Sequence, residues 1–351
     1  MSKFWSPKVR ELTPYVPGEQ PRERLIKLNT NENPYPPAPG VEQALRDYPS
    51  DHLRLYPDPE AAALRKALAE EFGVEPDQVF IGNGSDEVLA LAFQTFFRQD
   101  KPLVMPAITY SFYPVYCRLY DIDYRTVALN DKWQIPLQML AGDSGGVVFA
   151  NPNAPTGHGH DRQAIAELLD RVTERVALID EAYVDFGGET TMPLIQQHPN
   201  LLVTGTFSKS RSLAGLRLGY AVGSRELIEG LERVKNSFNS YPIDSLAIVA
   251  GVAALKDREH FDACRERVIS TREQTRQRLE TLGFEVLPSQ ANFLLVRHHE
   301  QDAGQIYTGL RERGILVRHF NTEALRDFLR ITIGTDNEMD TLIEALEAIC
   351  H

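Results

Sequence analysis

Cysteine is scarce in this chain: Cys117, Cys264 and Cys350 are the three among 351 residues, widely spaced and without a CxxC pair. An odd, scattered set supports neither a disulfide framework nor a zinc site, and points to a reducing compartment. Basic charge is also short, with 37 Lys and Arg against 49 Asp and Glu, a formal net charge of -12 and a sequence pI near 5.3. That balance argues against a nucleic-acid footprint and leaves no basic patch for anionic lipid. No apolar run approaches the roughly 18 residues a membrane span needs. Met1 to Pro7 carries no apolar h-region, so a cytoplasmic location is expected. Neither GxGxxG nor GxxxxGK[ST] spacing occurs, which leaves dinucleotide and nucleoside triphosphate sites unsupported.

What is present is ordinary for a globular protein, 42% hydrophobic and 25% charged. The length exceeds what one core usually fills, so a large unit over 41–240 and a smaller one over 241–351 are expected. Residues 1–40 are proline-rich and read as an extended arm that lies over the smaller unit and a partner subunit. Pro59 is placed at the first position of a helix over Glu60 to Phe72, ended by Gly73.

From there, short apolar runs alternate with helix-period segments. The runs are Val79–Ile81, Leu103–Met105, Tyr124–Leu129, Val147–Ala150, Val176–Ile179, Leu201–Val203 and Leu218–Val222. Runs apolar on both faces and separated by helices predict an α/β unit with a seven-stranded, mostly parallel sheet. Helices are predicted over Glu226 to Val234 and Asp244 to Leu282, the latter broken near Lys256 and Asp257. Further strands at Asn292–Val296, Ile315–His319 and Phe328–Ile333, interleaved with helices, make the smaller α/β unit.

Four polar motifs each follow an apolar run, and an open parallel sheet gathers ligands at the carboxyl ends of its strands. Ile81-Gly-Asn-Gly-Ser-Asp-Glu87 is a glycine turn into a helix whose N-terminus suits an anion, although it also serves as a plain N-cap. Asn151-Pro-Asn-Ala-Pro-Thr-Gly157 has turn composition with more Asn and Pro than a turn needs. Asp180, in Ile179-Asp-Glu-Ala-Tyr183, ends a buried run and requires a partner, either a structural Arg or a protonated ring nitrogen. Lys209, in Thr206-Phe-Ser-Lys-Ser-Arg-Ser212, reads alone as a solvated lysine. Beside Ser208 and Arg217 it becomes an amine next to a phosphate cradle. An amine, a buried carboxylate and such a cradle are what pyridoxal 5'-phosphate requires: condensation with its aldehyde, a partner for its ring nitrogen, and a seat for its phosphate.

Taken in order, Asn-Pro-Asn-x-Pro-Thr-Gly, Asp-Glu-Ala-Tyr and Ser-Lys-x-x-x-Leu-Ala-Gly-Leu-Arg-x-Gly resemble the fold-type I aminotransferases, from about Leu12 to the C-terminus. Thr13-Pro-Tyr-x-Pro-Gly, Leu28-Asn-x-Asn-Glu-Asn-Pro-Tyr, Arg54-Leu-Tyr-Pro-Asp-Pro, Gly82-Asn-Gly-Ser-Asp-Glu and Leu329-Arg-Ile-Thr-Ile-Gly-Thr335 are similar, within that group, to the histidinol-phosphate aminotransferase family. The resemblance implies that Lys209 bonds the cofactor, Asp180 pairs with its ring nitrogen and Tyr183 bonds its ring hydroxyl. Ser85, Asp86, Ser208 and Arg217, with Tyr56 of a partner subunit, would hold its phosphate, and Tyr110 would stack on the ring. Tyr15, Asn31, Arg318 and Arg330 would bind the substrate. A homodimer with shared sites is implied, as are a small-molecule amino donor and the acceptor 2-oxoglutarate.

Two positions depart from the pattern. Ala154 stands where the family has its ring-hydroxyl asparagine, with Asn153 beside it as candidate replacement, and Ser210-Arg-Ser212 replaces the usual pair after the lysine. The expected activity is amino transfer between histidinol phosphate and 2-oxoglutarate, in histidine biosynthesis. The rivals are an aromatic amino-acid aminotransferase, a decarboxylase of a phosphorylated amino acid, and a non-catalytic binding module on the same fold.

Overall fold

The computed structural model describes residues 3–23 and 25–350; the reading of Met1 and Ser2 lies outside them. Thirteen strands are described: β1 Ile26–Lys27, β2 Val79–Asn83, β3 Leu103–Pro106, β4 Tyr124–Val127, β5 Gly146–Ala150, β6 Ala177–Asp180, β7 Leu201–Thr206, β8 Leu218–Val222, β9 Phe284–Val286, β10 Phe293–His298, β11 Ile315–Leu316, β12 Arg318–His319 and β13 Leu329–Thr332. Seven of them form one sheet in the order β2-β8-β7-β6-β5-β3-β4. These are the seven apolar runs of the sequence. The sheet is parallel except for β8, which runs antiparallel to both β2 and β7.

Both faces of this sheet are covered, which is why its strands, the edge strand β4 apart, lack polar alternation. On one face Phe80, Leu103, Met105, Val148, Leu178 and Leu202 pack with the helix Gly84–Phe96 and the aromatic helix Tyr113–Tyr120. On the other, Val79, Val104, Phe149, Ile179 and Val203 pack with Leu64, Leu68 and Ile165. The helix Ser245–Lys256 joins this second layer through Ala247, Ile248 and Ala250. It stops before Asp257, whose carboxylate accepts from the His260 amide and opens the next helix, Arg258–Thr281, as the expected break near Lys256 requires.

A second sheet, β12-β13-β10-β9, carries the remaining core with the helices Ala303–Glu312 and Asp336–Cys350. The arm adds β1, which pairs in parallel with β11, and Leu28 sits in this second core. The run expected over Ile315–His319 is divided at Val317: β11 serves β1 while β12 pairs antiparallel with β13.

One helix boundary differs from its expectation. Pro59 does not open the helix, which runs Ala62–Phe72. Asp58 accepts hydrogen bonds from the Glu60 and Ala62 amides, at 3.0 and 2.8 Å, and holds Ala61 at φ 47°. This aspartate turn captures the donors that helix formation from Pro59 would have used. The C-terminal stop at Gly73, φ 67°, is as expected.

Candidate active site

Strand ends and the arm converge on one region. β6 ends in Asp180, which is 5% exposed. Its Oδ2 accepts from the Tyr113 hydroxyl at 3.0 Å and its Oδ1 from the Ala182 amide at 3.2 Å. Among the described residues no basic side chain forms an ion pair with it, and burial pushes its carboxyl up to about 6 against the pull of these donors. A buried carboxylate lacking a cation fits a ligand that brings its own positive charge.

Lys209 follows β7 and is partly buried. Its Nζ donates to the Thr30 carbonyl at 3.1 Å and lies 5.6 Å from the centroid of the Tyr183 ring. The arm grips the same loop through Asn33, whose Nδ2 donates to the carbonyls of Lys209 and Ser210 at 3.1 and 3.2 Å. Ser208 is buried beside it.

After β2 the chain turns at Gly84, φ 77°, into the helix Gly84–Phe96, where Ser85 and Asp86 lie in the first turn. The Arg217 guanidinium covers this N-terminus: a Cβ on Gly84 would stand 2.5 Å from Arg217 Nη2. Strand β8 also approaches closely, since a Cβ on Gly219 would meet Gly84 C and Ser85 N at 2.4 Å. The Asp86 carboxylate pairs with Arg217 at 2.9 Å and accepts from Tyr110 at 3.0 Å. Helix amides, a guanidinium and a bare glycine turn form a cradle for a phosphate.

Arg318 and Arg330 are cross-strand partners on β12 and β13. Neither meets a carboxylate within ion-pair distance among the described residues, whose ion pairs employ other arginines. Arg330 Nη2 donates to the Asn29 carbonyl at 3.0 Å, its buried Nε has no partner, and its guanidinium lies over Phe293 and Phe320. Burial lowers its pKa, an effect that the hydroxyls of Tyr183 and Tyr15 oppose. Tyr15 packs on Phe112 with centroids 4.8 Å apart, next to Tyr110. Two neighbouring guanidiniums without carboxylate partners among the described residues are suited to an anionic substrate.

The structure thus brings together Lys209, Asp180, Tyr183, Ser85, Asp86, Tyr110, Ser208, Arg217, Tyr15, Arg318 and Arg330. Asn31 is also there, but 1% exposed and bonded to Tyr183 and Thr332. Asn153 is fully buried; its Nδ2 donates to Ile108 O and Thr156 Oγ1 at 3.0 and 3.1 Å, and its Oδ1 is unpartnered. What it retains is an acceptor. Ala154 packs against Phe293 and Tyr183. Tyr56 stands apart, 82% exposed and stacked on Tyr241 at 4.8 Å. Ser210 and Arg211 turn away from the site: Ser210 donates to Asp185, and Arg211 lies 3.7 Å over Phe261 while bonding Glu71 and the Ala254 carbonyl. Sequence reading missed Tyr113 and Thr332, because an aromatic residue in an apolar helix and a threonine in a strand carry no local signal of a partner 67 or 301 positions away.

These features fit the cofactor implied by the sequence. The unpartnered carboxylate at Asp180, the amine at Lys209 and the cradle at Gly84 to Asp86 are its three requirements.

The family model for aminotransferases of classes I and II matches residues 23–346. A histidinol-phosphate aminotransferase of Chromohalobacter salexigens is 75% identical over 351 residues, covering all of both chains. One from Pseudomonas syringae pv. syringae is 54% identical over 347 residues, 99% of each chain. Among solved structures, the histidinol-phosphate aminotransferase from Sinorhizobium meliloti in complex with pyridoxal-5'-phosphate superimposes with a TM-score of 0.90 at 25% identity, over 100% of this chain and 98% of that one. The site geometry, the full-length relatives and the matching architecture agree: the chain belongs to the class I and II aminotransferases.

Proposed function

We propose that the chain is a pyridoxal 5'-phosphate-dependent aminotransferase that moves the amino group of histidinol phosphate to 2-oxoglutarate, giving imidazole acetol phosphate and glutamate. The observation that carries the substrate is the pair Arg318 and Arg330, two neighbouring guanidiniums without carboxylate partners among the described residues, with the Tyr15 and Tyr183 hydroxyls acting on Arg330. A guanidinium pair binds a phosphate ester in one half-reaction and a dicarboxylate in the other. The names and full-length identity of the relatives support the same choice.

The Ser85 and Asp86 amides, Ser208 and Arg217 would hold the cofactor phosphate, Tyr110 would cover the ring, Tyr183 would serve the ring hydroxyl and Asp180 the ring nitrogen. When bound, the cofactor supplies an aldehyde that condenses with amines and a cationic ring that draws electrons from the substrate's amine-bearing carbon. Asp180 would keep that ring protonated: its carboxyl, pushed up to about 6 by burial and lacking an ion-pair partner among the described residues, is drawn down by a cationic ring nitrogen, and the ring holds its proton more tightly in return. With the substrate seated, the free Lys209 amine would serve as the base, its Nζ taking the proton from that carbon and giving one back. Arg318 and Arg330 orient the substrate so that the broken bond faces Lys209. Asp86 neutralises Arg217 until a phosphate competes for it.

Tyr56 belongs to the site of a partner subunit, a reading supported by its 82% exposure among the apolar neighbours Leu53, Leu55 and Tyr241. The large unit is proposed to extend from about residue 41 to Lys256, because Ser245–Lys256 packs in its core, with the arm and 257–351 forming the smaller unit. The reaction is placed in the cytoplasm, where the free Cys117, Cys264 and Cys350 stay reduced.

Feeding histidinol phosphate, phenylalanine or a phosphorylated amino acid with 2-oxoglutarate, and measuring glutamate and carbon dioxide, tests this. Histidinol phosphate is expected to give glutamate fastest, with ping-pong kinetics and no carbon dioxide. Faster turnover of phenylalanine, or release of carbon dioxide, would replace the proposal with one of its rivals.

A further inference from the structure

We propose that Asn31 is a positioning residue that fixes the direction of the Tyr183 hydroxyl proton, holding it away from the arm and free for the ring oxygen of the cofactor. This rests on the role given to Tyr183 above.

The hydrogen bonds around Asn31 determine their own directions. Its backbone amide donates to Thr332 Oγ1 at 3.0 Å, and the Thr332 hydroxyl donates to Asn31 Oδ1 at 3.0 Å. Thr332 is buried on β13, with no water to compete. This closed pair identifies Oδ1 as the atom facing Thr332, so the amide nitrogen is the one 3.0 Å from the Tyr183 oxygen. An amide nitrogen can only donate. The Tyr183 oxygen therefore accepts, and its proton is left for a different partner. The Asn31 carbonyl takes the Asn292 amide at 3.0 Å, which completes the anchoring of the residue.

The same two-residue stretch addresses the amine. Thr30 accepts from Lys209 Nζ at 3.1 Å, and that nitrogen lies 5.6 Å from the Tyr183 ring centroid. Arm and β13 thus set the donors presented by β6 and β7 only when the smaller unit is seated. The backbone explains the residue type as well: Asn31 holds φ 57°, a conformation that Asn and Asp tolerate better than other side chains. Asn31→Asp therefore keeps the shape while turning the donor that faces Tyr183 into an acceptor, which draws the phenol proton back to the arm.

The test is the pH titration of the visible absorption of the reconstituted holoenzyme, without substrate. In Tyr183→Phe the ring oxygen loses a donor to its negative charge, so the neutralising proton is held more tightly and the midpoint rises by about one pH unit. Asn31→Asp is expected to raise it by a similar amount with Tyr183 intact. The double variant is expected to move no further than Tyr183→Phe alone, whereas a carboxylate acting merely through its charge would shift that background too. Thr332→Val releases the amide to turn over and is expected to raise the midpoint, and Thr332→Ser to leave it in place; this pair decides the matter if Asn31→Asp does not fold. A wild-type midpoint in Asn31→Asp or Thr332→Val, with Tyr183→Phe shifted, overturns the inference and leaves the role of Tyr183 standing. No shift in Tyr183→Phe itself removes that role, and the inference with it.

Discussion

At the scale of single residues, two adjacent carboxylates on one strand end have opposite fates. Asp180 is buried without a cation, whereas Glu181 is buried among donors: Thr190 Oγ1 at 2.6 Å, the Thr191 amide at 2.5 Å and Thr191 Oγ1 at 2.6 Å. Even so, burial pushes the Glu181 carboxyl up to about 7, with Asp185 adding to the rise. A carboxyl whose folded value lies above its unfolded one binds more protons folded than unfolded, so stability falls as pH climbs between the two values. Glu181→Gln is therefore expected to gain on the wild type from about pH 4.5 to pH 7, by about 1.4 kcal/mol for each pH unit climbed in that interval. The Thr190 hydroxyl, on a partly exposed residue, can turn to accept from the new amide and give its own proton to solvent. Urea unfolding of the cofactor-free chain at a series of pH values measures the difference, and a constant gap would refute it. For Lys209→Ala the expectation is complete loss of the visible absorption band that condensation with the amine produces, and of amino transfer. A variant exchanging amino groups at the wild-type rate would exclude Lys209 as the catalytic amine.

At the scale of elements, the site depends on how closely β8 approaches the helix Gly84–Phe96. Gly82 and Gly219 are opposed across β2 and β8, and a Cβ on Gly219 would stand 2.4 Å from two backbone atoms of the turn. Gly219→Ala must push the turn outward, which costs about 1 to 3 kcal/mol of stability and displaces the Ser85 amide from the cradle. A Kd for pyridoxal 5'-phosphate weakened by about tenfold or more is expected by equilibrium dialysis, and unchanged affinity would count against the cradle assignment. Those elements were legible in the sequence for a physical reason: strands buried on both faces must be mostly apolar, as six of the seven are, the edge strand β4 being the exception, and the motifs at the strand ends are made of turn-forming residues. The division of Ile315–His319 between two sheets was not, because a continuous five-residue run carries no mark of where it changes partner and only pairing decides. The helix start at Ala62 was hidden because Asp58 competes with Pro59 as the local signal. Within the site, residues whose chemistry is their own (Lys209, Asp180, Arg330) stood out. Those that act through a distant partner (Tyr113, Thr332) did not.

At the scale of the whole molecule, one chain exposes a group of apolar side chains tied to the turn that carries Ser85 and Asp86. Leu53, Leu55 and Phe238 are 57%, 52% and 79% exposed, next to the stacked pair Tyr56 and Tyr241. Asn83, at the end of β2, donates to the Pro242 carbonyl at 3.0 Å and so ties this patch to the turn that carries the phosphate cradle. A second copy covering the patch by a two-fold axis would bury it and bring each Tyr56 to the other chain's Arg217. The species in solution is then expected at twice the 39.6 kDa of one chain. Sharing of sites has a sharper consequence. In a mixed dimer of Lys209→Ala and Tyr56→Ala chains, one site carries both substitutions and the other carries neither, since it combines the intact lysine of one chain with the intact tyrosine of its partner. Two preparations, each nearly inactive, should on mixing and re-equilibration recover roughly a quarter of wild-type sites, the share expected for random pairing into two-fold dimers. Self-contained sites would recover nothing, because every lysine would then be matched only with the tyrosine of its own chain.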